Sequence, residues 1–266
     1  MRRVLLIMLL PLSVYGQNLN PAPFLAMGNT GVSQRGIYSL AKNPAGMILT
    51  SLSLATAYQN HFVGSQIQTL GFFAASPIFS SSAVGVKVIS YGLPELVKFN
   101  AFGVSYVKRI GPHLSSSLTF NHHRYFVRGQ VSDKAYSADL GLQWIVLESL
   151  VLGVHYRNIT AAHFIEYVDQ SIPQELQLGF LYNLSSDLAF SCDVSRDGIS
   201  DLTQVNMGAS YAPSGKVFFS GGVSTSPQQY YAGIGLVFDA FRMDLASSFH
   251  PRLGSSPQVS ICYAFP

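Results

Sequence analysis

The sequence predicts an all-β protein, a transmembrane antiparallel β-barrel of about 14 strands. Three observations predict it. Charged residues make up 11% of the chain, against roughly 25% in ordinary soluble domains. The chain is 48% hydrophobic, yet after its first residues no apolar run is long enough for a membrane-spanning helix. The apolar residues instead alternate with polar ones over segments of about ten residues, as in a strand that faces lipid on one side. A secreted β-sandwich or solenoid would also alternate. It would need a charged outer surface, which this composition does not supply.

The first element is a leader. Arg2 and Arg3 precede an unbroken apolar run from Val4 to Leu10, and Val14-Tyr15-Gly16 suits signal peptidase cleavage before Gln17. Residues 1–16 therefore read as a signal peptide. The alternative, a membrane anchor, needs about 20 apolar residues. No Cys lies near the cleavage point, so lipid attachment there is not expected.

Residues 17–50 follow. Their centre, Ala26 to Met47, reads "AMGNTGVSQRGIYSLAKNPAGM". It is rich in Gly, Asn and Ser and has no strand alternation. Pro44 fixes a turn, and Asn43 can bond its own backbone locally. Phe24, Leu25, Ile37, Tyr38 and Leu40 make it too apolar for a solvated tail.

Residues 51–266 carry the alternation. Strands are expected at 51–59, 66–75, 81–90, 99–109, 113–126, 132–145, 149–157, 174–183, 186–195, 203–212, 215–224, 228–238, 240–249 and 256–265. "SADLGLQW" is the clearest. Ala138, Leu140, Leu142 and Trp144 share one face, and Ser137, Asp139, Gly141 and Gln143 the other. "QELQLGFLY", "DLAFSCDVS", "QVNMGASY" and "FRMDLASSF" repeat the rule. Apolar positions are read as lipid-facing and polar ones as lumenal. The same phase puts Cys192 and Cys262 on opposite faces of distant strands, so no disulfide is expected.

The connections offer an independent check. Even-numbered gaps are short ("IGP", "LSS", "DA"), and odd-numbered gaps tend to be longer, up to "RNITAAHFIEYVDQSIP". Short turns belong on the periplasmic side of an outer-membrane barrel. This parity is expected through every connection, with both termini periplasmic. At the end, Val259, Ile261, Tyr263 and Phe265 share a face, and Ile261, Tyr263 and Phe265 resemble the terminal signal for outer-membrane assembly. Pro266 after the last Phe departs from that signal.

The opening segment resembles the N-terminal region of FadL-like outer-membrane barrels, and most nearly their PorV/PorQ branch in Bacteroidetes-type bacteria. Met27, Gly28 and Gly31 match its small-residue motif; Asn43, Pro44, Ala45 and Gly46 match its N-P-A-G. Asn29 stands where Gly is usual, and Gln34 to Gly36 where acidic residues are common. "AYSADLGLQW", "SIPQELQLGFLY" and "GSSPQVSICYAF" extend the likeness along the mature chain. The resemblance implies that residues 17–50 fold into the lumen as a plug. A crowded polar lumen suits small residues and hydrogen-bonding groups.

No catalytic or metal site is expected. The seven His lack metal-ligand spacing, His122 and His123 point to opposite faces, and no G-x-S-x-G occurs. No cofactor is implied. The net charge of +3 is scattered, which gives no support to nucleic-acid binding. Asp139, His155, Arg157, Asp193, Asp239, Arg242 and Asp244 fall on the polar face. They read as a lumen charge network that pairs with itself or the plug, with a selective conduction path as the sharper alternative.

Two functions follow from the resemblance. One is a non-catalytic accessory scaffold of a protein export or assembly complex, of the type IX secretion kind or beside the barrel-assembly machinery. Its partner would be a larger outer-membrane barrel or a surface lipoprotein complex. The other is FadL-like passage of fatty acids or other hydrophobic molecules. External loops short of the material for a ligand-capture groove favour the scaffold. Phe164, Ile165, Tyr167 and Val168 on the longest loop are then a candidate partner contact.

Overall fold

The structure is a computed structural model that describes residues 19–47, 51–129, 131–164, 172–198 and 202–266. Residues 1–16, expected to be a signal peptide, therefore lie outside the described residues. Fourteen strands follow one another: β1 (Ser53–Asn60), β2 (Gln68–Phe79), β3 (Ser82–Leu93), β4 (Val97–Ile110), β5 (Leu114–Val127), β6 (Val131–Leu147), β7 (Leu150–Arg157), β8 (Glu175–Asn183), β9 (Leu188–Asp197), β10 (Thr203–Tyr211), β11 (Val217–Thr225), β12 (Gln228–Phe238), β13 (Phe241–His250) and β14 (Gly254–Ala264). Each pairs antiparallel with its sequence neighbours, and β1 pairs with β14 to close the barrel. Closure leaves no sheet edge, which is the condition for a sheet to cross a bilayer.

The alternation follows the expected phase. Leu140, Leu142, Trp144, Leu176, Leu178, Phe180, Met207, Met243 and Leu245 are exposed on the outside. Ser117, Thr119, Asn121, Gln143, Gln177, Ser191 and Asp244 are buried inside. A soluble barrel would reverse this arrangement; a lipid-facing belt requires it. Both cysteines are free. Cys192 shares the outward parity of Phe190, and Cys262 packs against the inner apolar cluster.

Both ends of the sheet lie on one rim, where Ser53 pairs with Ala264 and the Phe265 N–H bonds Leu52 O at 2.9 Å. The loop-length parity holds less well than expected. The far-rim link between β11 and β12 is only Ser226-Pro227, whereas residues 212–216 separate β10 from β11 on the terminal rim. "YGLPELVK" in particular was counted as a loop. Most of it zips into β3 and β4, whose ladder runs on to Leu93↔Val97.

Residues 19–47 lie inside the barrel. A short helix, α1 (Ala22–Ala26), packs on β11 to β14. A 3-10 turn at Ile37–Ala41 packs on β1 to β3, and another at Pro44–Gly46 on β4 to β6. The stretch between α1 and these turns meets β7 to β10 through Gly153, Gly179, Asp193 and Gly208. The segment thus touches every strand, and only Arg35 within it is exposed.

Candidate functional site: the occupied lumen

The segment fits because the wall is hollowed out where it passes. A Cβ on Gly208 would sit 2.2 Å from Met27 O, and one on Gly222 2.3 Å from Gly28 N. A Cβ on Gly153 would sit 2.3 Å from Val32 O. Backbone meets backbone at these points, so any side chain there would displace the segment. Gly28 and Asn29 have φ of +74° and +66°. The second explains how Asn replaces the usual Gly, because Asn tolerates the left-handed region. Its side chain accepts from Asn20 Nδ2 at 2.6 Å.

Polar contacts fix the register. Asp193 Oδ2 accepts the N–H groups of Gly31 and Val32 at 2.7 and 3.1 Å, and lies 3.3 Å from Lys42 Nζ. Asn43 caps its turn by accepting from Ala45 N at 3.2 Å. Its Nδ2 donates to Val32 O at 2.8 Å, Leu142 O at 3.1 Å and Val154 O at 3.3 Å. Gln143 Nε2 donates to Val32 O and Gln34 O, and Ser115 Oγ to Ala45 O. The conspicuous Asn43-Pro44-Ala45-Gly46 therefore docks on β4 to β7.

The lumen has two unlike sides. On β1 to β4, most inward positions are small or apolar, among them Ala55, Ala57, Phe73, Ala75, Ala83, Ile89, Phe99, Ala101 and Val107, with Gln59, Thr69 and Lys87 as polar exceptions. Leu19, Phe24, Tyr38, Leu40 and Met47 cover them, and Phe164 and Ile172 extend the cluster at the far rim. On the β5 to β10 side the lining is polar. A cavity of about 90 Å³ lies among Asn29, Lys42, His155, Arg157, Glu175 and Asn206.

Most of the expected lumen charges lie inside, in two groups. Asp193 pairs with Lys42, and Arg157 with Glu175 at 3.7 Å. Asp139 accepts from Asn121 Nδ2 at 2.7 Å and Asn158 N at 2.9 Å; His155 Nδ1 lies 3.3 Å from Gln177 Oε1. Separately, Arg242 bonds Asp244 at 2.8 Å and stacks over Phe218. Asp239 does not belong. It is an exposed residue of the two-residue turn after β12, with φ +49°, where strand alternation has already ended. Lys42, Lys87 and Glu175 were missed as members. Each stands on the inner face or in the N-terminal segment, and only the fold brings them together.

The expected partner contact also changes. Phe164 is buried, edge-on to Phe99 at 6.2 Å and tilted against Tyr125 at 6.1 Å. The loop turns inward because Asn158 is buried beneath it and donates to Ile172 O and Ala162 O. Ile165, Tyr167 and Val168 lie outside the described residues. Ile261 and Phe265 face outward, and the Tyr263 ring is tilted against Phe241 at 4.5 Å and edge-on to Phe265 at 4.7 Å.

Fold and site together define a membrane-spanning antiparallel barrel whose interior is occupied by its own N-terminal segment. No family model and no curated protein matches the sequence. Among solved structures, the Ralstonia pickettii toluene transporter TbuX is similar with a TM-score of 0.72 at 12% identity, over 95% of this chain and 100% of that one. The monoaromatic hydrocarbon channel CymD gives 0.75 at 14%, over 94% and 98%. A Pseudomonas aeruginosa FadL homologue gives 0.67 at 12%, over 93% and 98%. The fold is thus FadL-like.

These likenesses overturn the expectation of an accessory export scaffold. The structures that share the fold over nearly the whole chain are named for hydrocarbon transport, and nothing among them supports the PorV/PorQ branch. Loop length was a poor guide, since an apolar surface also lines the inside of the barrel wall.

Proposed function

We propose that this chain is a bacterial outer-membrane channel for small hydrophobic molecules, closed at rest by residues 19–47 acting as a plug. One observation carries the reading: the apolar inner wall of β1 to β4. Lumens of membrane barrels are ordinarily polar. Here an apolar track runs from Met47 and Val107 at one rim to Phe99 and Phe164 at the other. Polar contacts alone would hold a plug without it. A track of Ala, Phe, Ile and Val lets an apolar solute cross without passing through water, once Tyr38 and Leu40 move aside. The hydrocarbons named for TbuX and CymD are solutes of this kind. Residues 1–16 direct export, and the shared rim of both termini faces the periplasm.

Uptake of isotope-labelled toluene and of a labelled long-chain fatty acid by cells expressing the chain tests the reading. Faster entry of either than in cells without it, abolished by Ala57→Asp on the inner wall, is expected. Equal entry in both would overturn it.

A further inference from the structure

We infer that the lumen also holds a binding site for a short-chain monocarboxylate, with Lys87 as the residue that takes its charge. The charged and polar groups this inference stands on are not those of the hydrophobic track, although the cavity borders the track at Ile89, Phe99 and Ala101, and it does not rest on that reading. Lys87 is the single charged residue of β3 and points inward. Its stem lies against the Gly103 backbone, where a Cβ would come 2.7 Å from Lys87 Cε and from Asn121 Oδ1. Gly103 therefore makes room for this lysine. Among the described residues no group forms a hydrogen bond or ion pair with its ammonium, although an unpaired charge in a protein interior is costly.

The ammonium faces a cavity of about 50 Å³ lined also by Asn121, His123, Asp139, His155 and Arg157. Two further nitrogen atoms at this lining are buried and without partners: His123 Nδ1 and Arg157 Nε. Asn121 Nδ2 donates to Ser137 Oγ at 3.4 Å, and Ser137 Oγ lies 2.8 Å from His123 Nε2. With Nε2 accepting from Ser137, the Nδ1 tautomer of His123 presents a donor to the cavity. The Asp139 carboxylate accepts from Asn121 and Asn158; it attracts Lys87 across the cavity but forms no direct ion pair with it. Glu175 is engaged by Arg157 through its terminal nitrogen, not Nε. Asn121 Oδ1 and His155 Nε2 are unpartnered acceptors at the same lining and can serve the remaining ammonium protons.

Size and wall chemistry choose the anion. At about 10–15 Å³ for each water-sized occupant, 50 Å³ holds three to five heavy atoms. Formate or acetate matches this volume. Ile89, Phe99 and Ala101 on the other side give a methyl group an apolar seat, which a bare halide would not use.

Purified full-length barrel in detergent, titrated with carbon-13 acetate and followed by ligand relaxation, tests this. Saturable binding is expected, weakened tenfold or more by Lys87→Met and largely kept by Lys87→Arg, with acetamide not binding. Heat-modifiable gel migration checks that each variant is a folded barrel. No saturable binding, meaning that water alone fills the cavity, would overturn the proposal. Unchanged affinity in a folded Lys87→Met barrel, or equal competition by chloride, would do the same. Toluene entry is expected to be unaffected by Lys87→Met, so failure here is separable from failure of the hydrophobic channel.

Discussion

The buried Asp193 carboxylate on β9 accepts the Gly31 backbone N–H at 2.7 Å and holds the Lys42 ammonium at 3.3 Å. One wall residue thus ties together two parts of the N-terminal segment that are 11 residues apart in sequence. Removing one partner of a buried ion pair typically costs about 3–5 kcal/mol, because the other charge is left unpaired. Asp193→Ala is therefore expected to release the Gly28 to Lys42 stretch while the ladders to β8 and β10 persist. Amide hydrogen exchange in detergent reads this directly. Protection at Gly31 and Val32 should fall by a hundredfold or more, and unchanged protection would refute Asp193 as the tether.

The glycine sockets give a second test with an internal control. Gly208→Val puts a side chain where Met27 O would lie 2.2 Å and Met27 Cα 2.6 Å from its Cβ, and backbone cannot yield there. At Gly221, one strand away, a Cβ would meet nothing closer than 3.6 Å. Valine suits a strand at either position. Gly208→Val should speed trypsin cutting after Arg35 and Lys42 in an otherwise intact barrel. Gly221→Val should cut no faster than the parent chain.

Much of the wall was legible in the sequence. Alternation is a local property, so Leu140, Leu142 and Trp144 could be placed outward and Asp139 and Gln143 inward from their spacing alone. Where alternation stops, the reading failed. Asp239 sits in a turn, and Phe164 in a loop whose direction is set by Asn158 beneath it. The inward glycines at 179 and 208 were visible as small residues on the polar face. What each accommodates depends on a segment over a hundred residues away, and nothing local encodes it. The Lys42–Asp193 pair is hidden for the same reason. Function was misread because loop length was weighed, whereas the apolar wall of β1 to β4 appears only when four strands are set side by side.

The outward assignment has its own measurement. Trp144 is the single tryptophan, half-exposed on the outer face of β6 near the terminal rim. Its indole is expected to be buried in lipid close to the headgroups, where tryptophan is favoured. In proteoliposomes, lipids brominated high on the acyl chain should quench its fluorescence strongly, and aqueous iodide should quench it weakly. The reverse order would place β6 in water and remove the case for a membrane barrel.

Asn43 separates hydrogen-bond donation from shape. Its Oδ1 accepts from Ala45 N, and its Nδ2 serves three carbonyls, two of them on the wall strands β6 and β7. Asn43→Ala loses these bonds and leaves buried carbonyls unserved, at about 1–3 kcal/mol for an unsatisfied group. Asn43→Asp is nearly identical in size and keeps the cap on Ala45. It nevertheless sets a carboxylate oxygen against Val32 O, Leu142 O and Val154 O in a buried site, which is worse than a missing donor. Exchange at Val32 and Ala45 should therefore rank the parent slowest, Asn43→Ala intermediate and Asn43→Asp fastest. If Asn43→Asp were as protected as the parent, the side chain would be acting only as a turn cap, and the plug would be held at this end by apolar packing on β1 to β4.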